Sequence, residues 1–492
     1  MGDLAMTATV SSPSATRALR TFEDLPGPRG VPVFGNLLQV KASRIHLQLE
    51  RWCEAFGPVY KLRLGKRRVV VVGDHDLVAT ALRDRPDGFR RTTRLEEIWT
   101  ELGLAGGVFG ASGEAWKRQR RMVMAGFDPA HVRRYFPSLQ RVTQRLVSRW
   151  QGAAARSATI DLQADLMRYT VDAIAGLAFG SEVNTLESDG DRLQNHLNRI
   201  FPAVFSRIFS PLPTWRWYTT AEDRALARSV AEVKVEIERF IAEARSRLQA
   251  DPSRQQSPPN LLEAMLVAAD EAGSGIDDEQ VTGNVLVMLL AGEDTTANTL
   301  AWLIWLLWRN PAALAKARDE VRRVCPDPTA ATFEDIARLQ YIEACAHEAM
   351  RLRPVAPMQG LQALRDTSLG DVQVRQGMVV FVLMRRDSVS EQHVPQASAF
   401  DPERWLNDDG MAATANPAKR ISMPFGAGPR ICPGRYLALL EIKMAMAALL
   451  GHFDIDAVAT PDGREPKELI QLAMAPVGLT MRLRAGTSPL KP

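Results

Sequence analysis

Cysteine is scarce in this chain. The 492 residues include four, Cys53, Cys325, Cys345 and Cys432, and no two of them form a Cys-x-x-Cys pair. That excludes a disulfide framework and a cysteine-rich zinc site, and it suits a reducing compartment. A charge excess of one sign is also missing. The 61 basic and 57 acidic side chains leave a net charge of +4, too little to imply nucleic acid as a partner, although a local basic patch can still steer an acidic one. Nor is there a long, clean apolar run. The opening stretch MGDLAMTATVSSPSATRALR holds none, and the most apolar segment, 282–308, carries Glu293, Asp294, Thr295 and Thr296 in its middle. A lipid span avoids such groups, whereas a buried functional helix can use them. A monomeric, cytoplasmic protein without signal peptide or membrane anchor is expected.

What is present is a globular composition, 46% apolar and 24% charged, able to bury a large core. Residues 1–24 read as a loose tail, followed by the extended, Pro/Gly-rich LPGPRGVPVFGN at 25–36. Val59–Leu64 and Arg67–Val72 read as a hairpin turning at Gly65-Lys66. Helical patterns dominate from there to about residue 350, with a polar loop at 250–260. One helix begins near Asp277-Asp278, where acids complement the helix N-terminus, and stops at Asn310-Pro311. At over 30 residues it far exceeds the usual three or four turns and is expected to cross the centre of the molecule. Strand signals return at 371–384 and 477–485. The fold class is mainly α with small β-sheets near both ends of the chain, residues 25–492 forming one domain.

The segment FGAGPRICPGRYLALLEIKMAMAALL, 425–450, places Cys432 among glycines and at the start of an apolar helix, Tyr436–Leu450. Gly426, Gly428 and Gly434 allow close backbone approaches, and Pro433 stands where helices often start. A helix N-terminus favours thiolate over thiol. A lone thiolate without a second protein ligand suits haem iron better than zinc, since the porphyrin supplies four further donors. Arg430 is placed to meet an anionic propionate. An isolated buried cysteine is more often inert, but Phe425, Gly428, Arg430, Cys432 and Gly434 stand together in the register F-x-x-G-x-R-x-C-x-G.

That register resembles the haem-binding signature of the cytochrome P450 superfamily, the haem-thiolate monooxygenases, and the likeness extends from Leu25 onward. It implies a triangular-prism fold with haem b (iron protoporphyrin IX) held between the long central helix and the helix after the cysteine loop. Cys432 would be the axial iron ligand, and Phe425, Gly426, Arg430 and Gly434 would surround it. In AGEDTT, 291–296, Ala291 and Gly292 offer a low surface for a flat group. Thr295 can return its hydroxyl to the Ala291 carbonyl and bend the helix. By likeness, Thr295 would hydrogen-bond dioxygen and Asp294 would relay protons.

The resemblance also implies a buried network of Glu348, Arg351 and Arg404, from HEAMRLRP and FDPERWL, and propionate contacts from Trp116 and Arg120 in WKRQRR. Many members have another propionate arginine just after the E-x-x-R segment. Here Leu361 stands there, Arg365 follows four residues on, and Arg385 or Arg386 occupies a place where others use histidine. Arg385 is the candidate taken. Lys117, Arg118 and Arg121 form a basic cluster suited to an acidic ferredoxin or flavodoxin-type donor fed by NAD(P)H through a separate reductase. The segments near 88–112, 198–218, 354–362 and 469–477, with the long helix, would line a pocket for a hydrophobic fatty acid, terpene, steroid-like or polyketide-like substrate. Two other readings stay open. One is a haem-binding sensor or carrier without turnover. The other is a haem-thiolate isomerase or dehydratase.

Overall fold

A computed structural model describes residues 18–486 apart from 128, 181–182, 188–191, 211 and 407–415. Five helices frame the site: α1 Gly113–Gly126, α2 Leu162–Ile174, α3 Asp278–Arg309, α4 Gln340–Leu352 and α5 Arg435–His452. The long helix α3 falls where its capping signals put it. Asp277 accepts from the Gln280 N–H at 2.8 Å, Asp278 and Glu279 occupy the first turn, and Pro311 opens the following helix. Two apolar cores share it. Leu300, Leu303 and Ile304 pack with Leu146, Trp150 and Met446. Val285, Leu286 and Leu289 pack with Ile237, Phe240 and Leu266.

Strands β1 Val59–Leu64, β2 Arg67–Val72, β3 Phe89–Arg91, β4 Met358–Ala363 and β5 Val379–Leu383 form one sheet in the order β1-β2-β5-β4-β3. The hairpin matches its expected residues. It does not, however, belong to a sheet confined to its own end of the chain. β2 pairs in parallel with β5, Val69 beside Val379, so the two ends interleave. The physical signal is the run Val69–Val72, all buried. An unbroken β-branched run marks a strand covered on both faces rather than a half-exposed hairpin arm.

Residues 18–24, expected as part of a loose tail, are held against the sheet. From residue 18 the chain is described, and the Arg20 N–H donates to the Asp371 carbonyl at 2.8 Å while Phe22 is buried against the sheet. Residues 1–17 lie outside the described part.

The segment leading to the cysteine loop is fixed by α4. Arg351 donates Nε and Nη2 to Glu348 at 2.8 and 2.7 Å, and its remaining N–H groups meet the carbonyls of Ser388, Ala397 and Ala399. Glu348 also accepts from Arg404 Nε at 3.1 Å and Trp405 Nε1 at 2.8 Å. Both members of the pair are fully buried, and nearly every polar atom is satisfied, which is the condition under which a buried ion pair is tolerable.

Candidate active site

Cys432 sits one turn before α5, whose first cap position is Gly434. The loop is pinned by the Cys432 N–H donating to the Phe425 carbonyl at 2.9 Å. Gly428, at φ +70°, lies so close to the helix His75–Arg83 that a Cβ would stand 2.7 Å from Arg83 Cα. Any side chain there would push the loop off its support. The Gly434 N–H and the cations Arg120 and Arg435 all favour a thiolate at Cys432, but burial outweighs them and holds the thiol above its ordinary pKa. The helix N-terminus alone therefore does not deliver the thiolate expected from the sequence. A coordinated cation would.

Around this loop the charges are one-sided. Arg120 Nη2 donates to the Ile431 carbonyl at 2.8 Å, and the Arg430 guanidinium lies 5.0 Å from the buried Trp116 ring while donating to the Ala111 carbonyl. Arg85 and Arg91 join them. All of Arg85, Arg91 and Arg430 have guanidinium pKa values pushed down, to about 10, about 9 and about 10, first by burial and then by one another or by a neighbouring arginine. The Nε atoms of Arg91 and Arg430 are buried without a partner. Glu96, paired with Arg90, opposes the shift only at Arg430, and the three neighbouring guanidiniums together suit an anion. Arg385 is a correction. Its Nε and Nη2 donate to Glu50 at 3.0 and 2.7 Å and its Nη1 to Glu468 at 2.8 Å, so two carboxylates already occupy it. Leu361 is buried in β4, and Arg365 pairs with Asp84 at 2.8 Å.

On α3, Thr295 Oγ1 donates to the Ala291 carbonyl at 2.7 Å, as its position predicts, yet α3 stays helical throughout. Ala291 is exposed in the midst of buried neighbours because it borders a cavity. Gly292 does not share that role. Its missing side chain faces α2, where a Cβ would meet Ile174 Cδ1 at 2.5 Å, so it serves helix–helix approach rather than a cofactor. Asp294 lines the cavity with Thr295. Desolvation raises its carboxyl to about 6 against the opposing hydrogen bonds from Asn298 and the Ala473 N–H. Asn298 is held in turn by Gln163 at 2.9 Å. The cavity, about 1060 Å³, is walled by apolar and aromatic side chains including Phe109, Phe201, Phe205 and Leu290.

A thiol-bearing loop, an arginine cluster and an acid–alcohol pair on a central helix form one combination. A sequence profile described as Cytochrome P450 matches residues 25–482. The chain belongs to the cytochrome P450 family. It is similar to the cytochrome P450 CYP13A7 of Caenorhabditis elegans, 26% identical over 93% of each chain. It is similar also to the carotene epsilon-monooxygenase, chloroplastic, of Arabidopsis thaliana, 27% identical over 87% of this chain and 81% of that one. A bifunctional cytochrome P450/NADPH–P450 reductase of Fusarium oxysporum is 28% identical over 94% of this chain, which spans 43% of that protein. As a cytochrome P450 it is a haem-thiolate monooxygenase, an oxidoreductase that incorporates oxygen.

The residues suit a haem in this P450: Cys432 as a soft sulfur donor, and the partnerless Nε atoms of Arg91 and Arg430 for anionic propionates. Arg85 and Arg91 were not singled out by sequence reasoning, which gave 88–112 only as a pocket-lining segment. Glu441 was missed too. It lies on α5, is fully buried, accepts from Thr296 of α3 and is pushed up to about 8 by burial. All five segments expected to line the pocket do so. The tip of the β1–β2 hairpin and residues 375–379 also line it, which the sequence did not suggest. No helix among the described residues is long and apolar enough to cross a membrane.

Proposed function

We propose that this P450 hydroxylates or epoxidises a hydrophobic small molecule bound in the cavity beside Thr295, residues 25–492 acting as one catalytic domain. The observation that carries this reading is the shared wall: one apolar cavity is bordered by Ala291, Asp294 and Thr295 on α3 and by Arg91 of the anion cluster. Cys432 would hold the haem iron, and Trp116, Arg120, Arg430, Arg85 and Arg91 would hold the propionates. When bound, the haem supplies dioxygen activation, with one oxygen atom entering the substrate and the other leaving as water at the expense of two electrons and two protons.

The chain's own residues manage position and protons. A carboxyl near 6 at Asp294 is close enough to neutrality both to take a proton from water and to give it up. Asn298 and the Ala473 N–H hold that carboxyl at the cavity wall. The Thr295 hydroxyl is parked on the Ala291 carbonyl and can turn to an oxygen acceptor in the cavity. The apolar lining excludes bulk water. Electrons would come from a ferredoxin or flavodoxin-type protein, supplied by NAD(P)H through a reductase. It would dock where Lys117 and Arg121 are exposed near Arg118, with Met124 and Tyr436 as exposed apolar contacts.

Reductant-dependent oxygen consumption in the presence of apolar compounds tests the reading. A substrate should stimulate consumption and yield oxygenated product. Thr295→Ala should divert most of the oxygen consumed to peroxide. Unchanged coupling in that variant would contradict the proton role, and absence of turnover with any compound would favour a sensor or carrier.

A further inference from the structure

The cavity is electrically polarised along its length. Its inner end holds Asp294, the single carboxylate among the lining residues. Its outer end is formed by two adjacent turns. Parallel pairing of Val69 with Val379 sets the β1–β2 turn beside the turn that precedes β5, and these turns bring Lys66, Arg67, Arg68 and Arg375 to the cavity wall. Arg68 is engaged by Glu23 at 3.4 Å. Lys66, Arg67 and Arg375 are exposed and have no carboxylate partner among the described residues. Between the ends the wall is largely apolar, with Phe34, Leu37, Phe209, Leu212 and Phe381 among its side chains; Arg91, assigned above to a propionate, and Arg94, paired with Glu97 at 3.5 Å, also border it.

The positive field at the mouth is not cancelled locally. Desolvation and the neighbouring Arg94 hold the Arg67 guanidinium below its ordinary range, and only Glu97 opposes them. Carboxamides add donors at the same end, from Gln362 and Gln376. A molecule that satisfies the whole cavity therefore carries negative charge at one end and hydrocarbon along the rest. The reverse orientation would bring its charge toward Asp294.

We infer that the substrate is an anionic amphiphile, a long-chain alkyl carboxylate, whose head is bound at the mouth by Lys66, Arg67 and Arg375 and whose tail runs inward to Thr295. This rests on the cavity being the substrate site and adds the class of substrate and its direction. Oxidation then falls on the tail, far from the carboxylate. The mouth cations act at partly solvated sites, so the attraction is screened by salt and is worth a moderate factor rather than the whole affinity.

The test is calorimetric titration of the haem-loaded protein with dodecanoate, dodecanol and dodecyltrimethylammonium, repeated with Lys66→Gln/Arg67→Gln/Arg375→Gln. Dodecanoate should bind about tenfold more tightly than dodecanol, and the cationic amphiphile most weakly. The triple variant should lose that tenfold preference while binding dodecanol as before, and raised salt should do the same to the unaltered protein. The unchanged dodecanol affinity shows that the variant is folded. Equal binding of dodecanoate and dodecanol overturns the inference and leaves the cavity as the substrate site. Binding of none of the three overturns both. Retained dodecanoate affinity in the triple variant, with loss of binding to phosphatidylglycerol vesicles, assigns the cations to a membrane surface and also overturns it.

Discussion

Gly292 and Glu441 carry their physics in single groups. Adding a methyl group at Gly292 would press on Ile174, and overpacking of this kind costs about 1–3 kcal/mol. Gly292→Ala should lower the denaturant midpoint accordingly. Combined with Ile174→Ala, which opens the space, the loss should fall short of the sum of the two singles by about 1 kcal/mol. Strict additivity would show that the contact is not where the strain resides. Glu441 makes a prediction in pH. Its carboxyl is raised to about 8 in the folded chain and returns to roughly 4.3 when unfolded. Between those values the folded state keeps a proton that the unfolded state has lost, so stability falls as pH rises, by at most about 1.4 kcal/mol per unit. Glu441→Gln should therefore gain on the unaltered protein by about 2 kcal/mol between about pH 5.5 and pH 7.5. Chemical denaturation at the two pH values checks this, and a gain toward low pH would contradict it. At this scale the sequence was readable where a residue acts through its own backbone or a neighbour one turn away. Thr295 bonding back to Ala291 is such a case. It was unreadable where the partner lies far along the chain. Nothing near Gly292 announces Ile174, and nothing near Arg385 announces Glu50 and Glu468.

The elements were legible to the extent that their ends are chemically marked. α3 carries an acidic cap at one end and a proline beyond the other, and the hairpin carries a glycine at its turn, so their bounds followed from composition. β3 and β4 carry no such marks. β4 contains Gly360 and two glutamines and lacks clean alternation, and it becomes a strand because β5 and β3 flank it. α4 makes the sharpest test at this level. Arg351 uses its planar fork on Glu348 and reaches three carbonyls besides, a geometry lysine cannot reproduce. Arg351→Lys should cost about 3–5 kcal/mol and yield protein with little bound haem. Arg404→Lys, at the more accessible edge of the network, should cost clearly less. Denaturation midpoints and haem content per chain measure both, and a reversed order would place the anchor of the cysteine loop elsewhere.

Across the whole molecule, the feature least visible in the sequence is the interleaving of the two chain ends in one sheet. The valine run of β2 hints at it, but the partner strand lies some three hundred residues away, and only tertiary packing selects it. That pairing is also what brings the Lys66–Arg67 turn and Arg375 to one cavity mouth. The cysteine loop and the central helix were legible because each carries a local register of residues, whereas the pocket-lining segments followed only from the family resemblance. Of the arginines around the loop, Arg120 and Arg430 were named from the sequence, but Arg85 and Arg91 were not, since they reach it only through the fold.

The claim on which the rest depends is that the Cys432 sulfur is bonded to haem iron. X-ray absorption at the iron edge of the haem-loaded protein measures it most directly. A sulfur scatterer at bonding distance should be present in the unaltered protein and in Cys53→Ala/Cys325→Ala/Cys345→Ala, and absent in Cys432→Ser. An iron centre bound only by nitrogen and oxygen, or one whose sulfur survives loss of Cys432, would contradict the account.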